Sequence, residues 1–238
     1  MAESPSRPRL HGRRLGRPLR VGQQELVARR LPALALTPPA PGERIVDPLG
    51  LFVPRPRALW LEIGFGGGEH VAAEANPDVG IIGAEVFING IATLLREVEA
   101  RGLANVRILQ EDARLLLPAL PPASLERVFL LFPDPWPKRR HAKRRFIQPA
   151  TLDALAEAMA DGAEFRLGTD DPGYLRWSLR HLLDHPAFEW PARRPADWRD
   201  RPADWPQTRY ESKALAAGRT PAFLCFRRRP RASGGEAA

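Results

Sequence analysis

The feature that most constrains this chain is an alternation running from Ala58 to Asp184. Short apolar runs that end in glycines or acids are each followed by a stretch with apolar residues at helical spacing. ALWLEIGFGGG opens the series, and EHVAAEA after it reads as a helix. IIGAEV (81–86) is a second buried strand, and INGIATLLREVEARGL sets Ile91, Leu94, Leu95 and Val98 on one stripe that Gly102 closes. VRILQED (106–112), LERVFLLF (125–132) and AEFRLGTD (163–170) continue the strands, and AFLCFRRR (222–229) is the last. TLDALAEAMADG, ended by Gly162, and DPGYLRWSLRHLLD supply further helices. This order predicts an α/β fold: a Rossmann-like, doubly wound, mostly parallel sheet with helices on both faces. Ligands bind such sheets beyond the carboxyl ends of the strands, and every chemistry-bearing motif here falls at such an end.

A chain of 238 residues with 44% hydrophobic content can bury one good core but hardly two. No apolar stretch approaches the roughly 18 residues of a membrane span. The opening MAESPSRPRLHGRR has no apolar secretory core, so a cytoplasmic protein is expected. A mitochondrial presequence is the competing reading, which Glu3, Glu25 and the few serines fit poorly. Cys225 stands alone inside AFLCF, which excludes a disulfide framework and a cysteine-based metal site and reads as a core thiol. The five histidines show no metal-ligand grouping, and no metal is expected.

Net charge is +8 and the sequence pI about 10.8, which suits a polyanionic partner. Of the 36 basic residues only Lys138, Lys143 and Lys213 are lysines, and alanine and proline are plentiful, so genomic base composition also bears on the total. Placement says more: bases cluster at 7–30, 138–145 and 227–231. Residues 1–44, with one helical patch QQELVARRLPAL, read as a flexible basic arm; 45–230 form the domain, and 231–238 a disordered tail.

At the end of the first strand, Glu62-Ile63-Gly64-Phe65-Gly66-Gly67-Gly68 lets the backbone turn tightly and approach a ligand. The dinucleotide fingerprint would want glycine at 69, where this chain has Glu69. Glu85, after the second strand, is placed to accept both hydroxyl protons of a ribose, or is a solvated acid at a strand end. Asp112 adds a carboxylate that suits an adenine amino group. Together they describe an adenosine pocket with no obvious phosphate binder, favouring S-adenosylmethionine over NAD, with Glu62 and its neighbours favouring a cationic sulfonium.

After the fourth strand comes LFPDPWPKRRHAKRRF (131–146). Prolines on both sides of Asp134 fix its backbone, with Trp136 beside it. A methyltransferase acting on a ring nitrogen with a free lone pair needs in-line placement and a negative group that tolerates the forming cation, not a strong base. Asp134 suits that role; capping the following segment is the alternative. Lys138, Arg139, Arg140, Lys143, Arg144 and Arg145 form either a phosphate-binding surface or a solvated face. Asp170 and Asp171 follow the fifth strand, where capping of the next helix is a competing role. Thr208, Arg209, Tyr210 and Glu211 lie in an expected loop, suited to covering a flipped base, with Tyr210 as a stacking face and Glu211 reading a guanine amino group. Core packing is the rival reading for Tyr210 and the tryptophans.

The ordered series LEIGFGGGEH, GAEV, EDA, FPDPWPKRRHAKRRF, LGTDD and TRYESKALAAGRTPAFLCFRR closely resembles the bacterial tRNA (guanine-N7)-methyltransferases, over roughly residues 45–230. The resemblance implies a seven-stranded class I S-adenosylmethionine-dependent fold, acting on guanine 46 in the variable loop of tRNA; whether as a monomer or homodimer the sequence leaves open. It assigns Glu62, Glu85, Asp112 and Asp134 to the cofactor, beside the Gly64 and Gly66 turn read above as cofactor-binding, with Asp134 also catalytic. Lys138, Asp170 and Thr208-Arg209-Tyr210-Glu211 go to the substrate. Ala142 departs from the pattern, since relatives often carry a second histidine beside His141. Two other readings are kept: an adenine-amino nucleic-acid methyltransferase, since DPW is similar to the acidic Pro-Pro-aromatic motif used there, and a tRNA-binding protein without catalysis.

Overall fold

Every residue of the strand Ala58–Ile63 (β1) is buried, because it lies inside a sheet covered on both faces. The computed structural model describes residues 15–74 and 76–232. Its other strands are Val79–Ala84 (β2), Val106–Leu109 (β3), Leu125–Leu131 (β4), Met159–Thr169 (β5), Phe188–Glu189 (β6) and Ala222–Arg228 (β7). They form one seven-stranded sheet in the order β3-β2-β1-β4-β5-β7-β6, parallel from β3 to β5, with β7 antiparallel to both neighbours. The helices are Val21–Leu34 (α1), Glu69–Glu74 (α2), Ile88–Arg101 (α3), Ala113–Leu116 (α4), Pro149–Ala158 (α5), Pro172–Asp184 (α6), Ala196–Arg199 (α7) and Arg209–Ala216 (α8).

The period-2 alternation of β1 sorts its side chains between two cores. Leu59, Leu61 and Ile63 join Leu130, Leu152 and Leu155 on one face, while Trp60 joins Ile81, Leu94 and Val106 on the other. Complete burial of a leucine such as Leu61 contributes about 1.5–3 kcal/mol. After β1 the chain builds outward through β2 and β3, then returns to add β4 on the other side of β1. That reversal opens a crevice beyond the carboxyl ends of β1 and β4, where the glycine loop and the Asp134 loop both emerge.

Several boundaries differ from the sequence expectation. α5 ends at Ala158, not Gly162: buried Met159 already pairs with Leu125 in the sheet, and Arg228 and Arg231 donate to the helix's last carbonyls, with Arg228 Nε 3.1 Å from Ala156 O and Arg231 Nη2 2.7 Å from Glu157 O. β6 has two residues, too few to leave a periodic signal. Thr208–Glu211 is not a loop but the start of α8, capped by the Thr208 hydroxyl, which accepts from the Glu211 N–H at 3.1 Å.

The basic arm also differs from a flexible one. α1 lays Leu26, Val27 and Leu31 against the core that contains Leu94, Leu95 and Val98, and Leu36 N–H donates to Ile108 O at 2.8 Å beside β3. Further back, the Asn89 side chain bonds Gly16 N–H at 3.0 Å and Arg17 O at 2.8 Å. Residues 1–14 lie outside the described residues. At the other end Arg231 pairs with Asp161 and donates to the Met159 carbonyl at 2.9 Å, so the tail begins anchored; 233–238 are outside the described residues.

Candidate active site

Beyond β1 the backbone turns through Gly64 (φ 71°) and Gly66 (φ 58°), both in the left-handed region that favours glycine. Space imposes the same choice at Gly66, where a Cβ would stand 2.8 Å from Cε2 of Tyr210. Glu85, one residue past β2, receives this loop. Its Oε2 accepts from Gly66 N–H at 2.7 Å, and its Oε1 accepts from Val86 and Phe87 N–H at 2.8 and 2.9 Å. Burial pushes the Glu85 carboxyl above its ordinary range against the pull of these bonds, and the Asp134 charge adds to the rise.

Asp112 caps α4, its Oδ1 accepting from Arg114 N–H at 2.9 Å. The Arg114 guanidinium folds back onto the same carboxylate, with Nε 2.9 Å from Oδ1, and its own pKa rises for that reason. Any ligand amino group must therefore share Asp112 with Arg114. Glu62, by contrast, is off the cleft wall. It is buried against His70, its Oε2 2.8 Å from Nδ1, and the His70 ring meets Phe129 edge-on.

The opposite wall is the segment after β4. Asp134 is exposed at its tip, has no hydrogen-bond or ion-pair partner among the described residues, and faces a cleft of about 360 Å³. Phe132 (φ 51°) and Trp136 (φ 44°) on either side are both in the left-handed region, a strain of about 1–3 kcal/mol each that the surroundings must hold. Phe132, Phe146, Val86 and Phe87 give the cleft apolar walls. Sequence reasoning misses these four, although Val86 and Phe87 directly follow Glu85, a position suited to a platform for a flat ring.

The basic run divides. Lys138, Arg139, Arg140 and Lys143 are exposed. Arg144 lines the cleft with its guanidinium 4.9 Å over the Trp136 ring. Arg145, expected on the RNA surface, is instead buried behind the loop: Nε donates to Pro135 O at 3.0 Å and Nη2 to Trp136 O at 3.1 Å. A buried guanidinium needs acceptors, and those two carbonyls supply them.

Of the expected substrate group, only Tyr210 reaches the cleft, over the glycine loop. Arg209 turns toward Glu69, 3.7 Å away. Glu211 is buried, with Oε1 3.2 Å from Arg201 Nε and Oε2 unpartnered, and burial raises its pKa against the pull of Arg201. Asp170 pairs with Arg219 at 2.6 Å, off the cleft wall, and Asp171 is the residue that caps α6. Trp205 is fully buried, as a packing role requires. Among the described residues no three His, Cys, Asp or Glu side chains group as metal ligands, and no helix is long and apolar enough to cross a membrane.

A cleft at the strand reversal, with glycine turns, a carboxylate after β2 and a second carboxylate after β3, fits S-adenosylmethionine. Among the described residues its only guanidinium groups are Arg114, engaged with Asp112, and Arg144, stacked on Trp136, so no free cation awaits a phosphate there. The fold is shared with solved structures: a 16S rRNA methyltransferase, KamB (TM-score 0.53, 17% identity, covering 79% of this chain and 95% of that one), and an rRNA methylase from Streptococcus thermophilus (0.50, 9%, covering 73% and 88%). Residues 56–224 match the family described as "Putative methyltransferase". Fold and cleft thus define a class I S-adenosylmethionine-dependent methyltransferase.

Similarity extends along nearly the whole chain. A tRNA (guanine-N(7)-)-methyltransferase of Rhodospirillum rubrum is 57% identical over 98% of this chain and 93% of its own length. Those of Paramagnetospirillum magneticum (57%; 94% and 94%) and Azorhizobium caulinodans (46%; 96% and 98%) carry the same name. The chain belongs to the tRNA (guanine-N(7)-)-methyltransferase family.

Proposed function

We propose that this protein transfers the methyl group of S-adenosylmethionine to N7 of a guanine in tRNA, the guanine at position 46 of the variable loop. The observation that carries the reading is the presentation of Asp134. It is an exposed, unpaired carboxylate held between two prolines, across the cleft from Glu85 and next to exposed Arg139, Arg140 and Lys143. The names of the relatives support this target over the adenine-amino and non-catalytic alternatives. We further propose a cytoplasmic location, where tRNA is found, and take the domain to begin near Leu15, because α1 packs on α3.

Glu85 holds the glycine loop and offers the ribose its remaining acceptor capacity; Asp112 faces the adenine side, with Val86 and Phe87 as apolar walls. When bound, S-adenosylmethionine supplies an electrophilic methyl group on a cationic sulfonium. Guanine N7 has a free lone pair, so no general base is required. Asp134 sets negative charge beside the purine as it becomes cationic, and Trp136 limits its position. Lys138, Arg139, Arg140 and Lys143 neutralise phosphates around the target. Tyr210, above Gly66, is placed to stack on the flipped base.

The test is labelled methyl transfer to unmodified tRNA transcripts carrying guanine or adenine at position 46, followed by chemical cleavage at 7-methylguanine. Label that needs the guanine, with cleavage there, is the expected result. Label retained by the adenine transcript would move the target to another base or atom.

A further inference from the structure

We propose that Arg145 is a positioning residue for methyl transfer: its guanidinium grips the carbonyls of Pro135 and Trp136 and thereby fixes where Asp134 stands. The proposal rests on the reading of Asp134 given above and goes beyond it to the device that holds the loop.

The loop needs such a device. Pro133 and Pro135 have no N–H to give, so half of the usual backbone anchoring is missing around Asp134. Phe132 and Trp136 both sit in the left-handed region, which non-glycine residues keep only where the surroundings over-determine them. The carbonyl oxygens are still open to capture, and Arg145 takes two in succession, Pro135 O at 3.0 Å and Trp136 O at 3.1 Å. The guanidinium is itself held. It lies 4.6 Å over the ring of Trp177, and Trp177 Nε1 donates to Ile147 O at 2.7 Å, two residues beyond Arg145. α6 thus supports the catalytic loop through Trp177 and Arg145. Arg144 lies 4.9 Å over the Trp136 ring, so two adjacent arginines hold Trp136, one at its ring and one at its carbonyl.

Charge alone explains none of this. Arg145 is 8% exposed, whereas Arg139, Arg140 and Lys143 in the same run are open to solvent. A phosphate-binding arginine has no reason to be buried; a planar fork that must meet two carbonyls does, and lysine cannot reproduce it.

The experiment compares wild type with Arg145→Lys in the full chain. Single-turnover methyl transfer is measured at saturating S-adenosylmethionine and tRNA, alongside tRNA affinity at several salt concentrations and cofactor affinity by calorimetry. The expected result is a rate loss of about 100-fold, the scale of a misplacement near 1 Å, with tRNA affinity, its salt slope and cofactor affinity unchanged. A wild-type rate would overturn the proposal. So would a shallower salt slope with the saturated rate intact, since Arg145 would then bind phosphate. Should Arg145→Lys fail to fold, Arg145→Ala is assayed with added methylguanidinium or methylammonium. Saturable rescue by the planar cation alone supports the proposal; no rescue, or equal rescue by both, overturns it. An inactive wild-type chain would sink the functional reading itself, a result distinct from either.

Discussion

The two walls of the cleft treat their carboxylates in opposite ways. On the β1–β2–β3 side Glu85 is engaged by three backbone N–H groups and Asp112 by Arg114. On the β4 side Asp134 stands exposed without a partner among the described residues. Engaged acids shape a site, because their charge is spent on holding backbone and neighbours in place. An unengaged acid on a rigid loop keeps its field for whatever enters the cleft. On the function proposed above, binding belongs to the first wall and chemistry to the second.

The comparison breaks most readily at Asp134. Asp134→Asn should lower the single-turnover rate by about 100- to 1,000-fold at saturating substrates, the scale seen when one preorganised electrostatic group is removed, with tRNA affinity within about threefold of wild type. If Asp112→Asn costs the saturated rate as much, the division between the walls fails.

Glu85→Gln acts on the other side of the comparison. With an amide nitrogen in place of one acceptor oxygen, either the Gly66 N–H or the Val86 and Phe87 N–H groups lose their acceptor, which costs about 1–3 kcal/mol of stability and weakens cofactor binding, while the rate at saturating cofactor recovers toward wild type. The pH dependence isolates the group. Burial raises the folded pKa of Glu85, so the folded state binds this proton more tightly than the unfolded chain. Its stabilising contribution is complete below the unfolded value and is lost as pH rises through the window up to the raised folded value. Wild type should therefore lose stability relative to Glu85→Gln as pH rises through that window in chemical denaturation. A constant difference would show that the carboxyl is not buried as described.

The first wall is also the more legible in the sequence, for a physical reason. Its residues are placed by backbone periodicity: a buried strand must end, and Gly64, Glu85 and Asp112 mark where. What periodicity does not supply is the partner of each acid, since Arg114 meets Asp112 through a local capping turn and His70 meets Glu62 across the glycine loop. On the second wall PDPW announces a rigid acid, but six bases within eight residues carry no mark of which one turns inward, so Arg145 reads as surface and proves buried. One local signal does point to the observed structure where the loop expectation fails: Thr208-Arg209-Tyr210-Glu211 has the S/T-x-x-E form of a helix start, and a helix is what it begins.

Replacing Arg139, Arg140 and Lys143 together by alanine should sharpen the contrast within the basic run. Each phosphate left without its cation lowers the slope of log affinity against log salt by about 0.7–0.9, and cofactor affinity should not move. A full salt slope in this variant would return the RNA surface to other bases, Arg144 or the arm included.

The smallest expected effect belongs to His141, which stands edge-on to Trp136 within the same run. Its pKa lies below the ordinary histidine value, first through desolvation and then through repulsion by Arg144, Arg140 and Lys138, so the free protein holds this proton less tightly than an unperturbed imidazole does. Phosphates arriving on those cations offset the repulsion and favour the protonated ring, raising the pKa in the complex. A group that holds its proton more tightly when bound makes affinity rise as pH falls, and the gain is bounded at about tenfold for each unit between the free and bound values. Calorimetry of tRNA binding in buffers of different ionisation enthalpy should detect proton uptake on the acid side of neutrality that His141→Gln abolishes, with the saturated rate unaltered. Equal uptake in both proteins would mean that phosphates do not approach this end of the run, and the chemistry on the second wall would then have to be separated from the RNA surface proposed beside it.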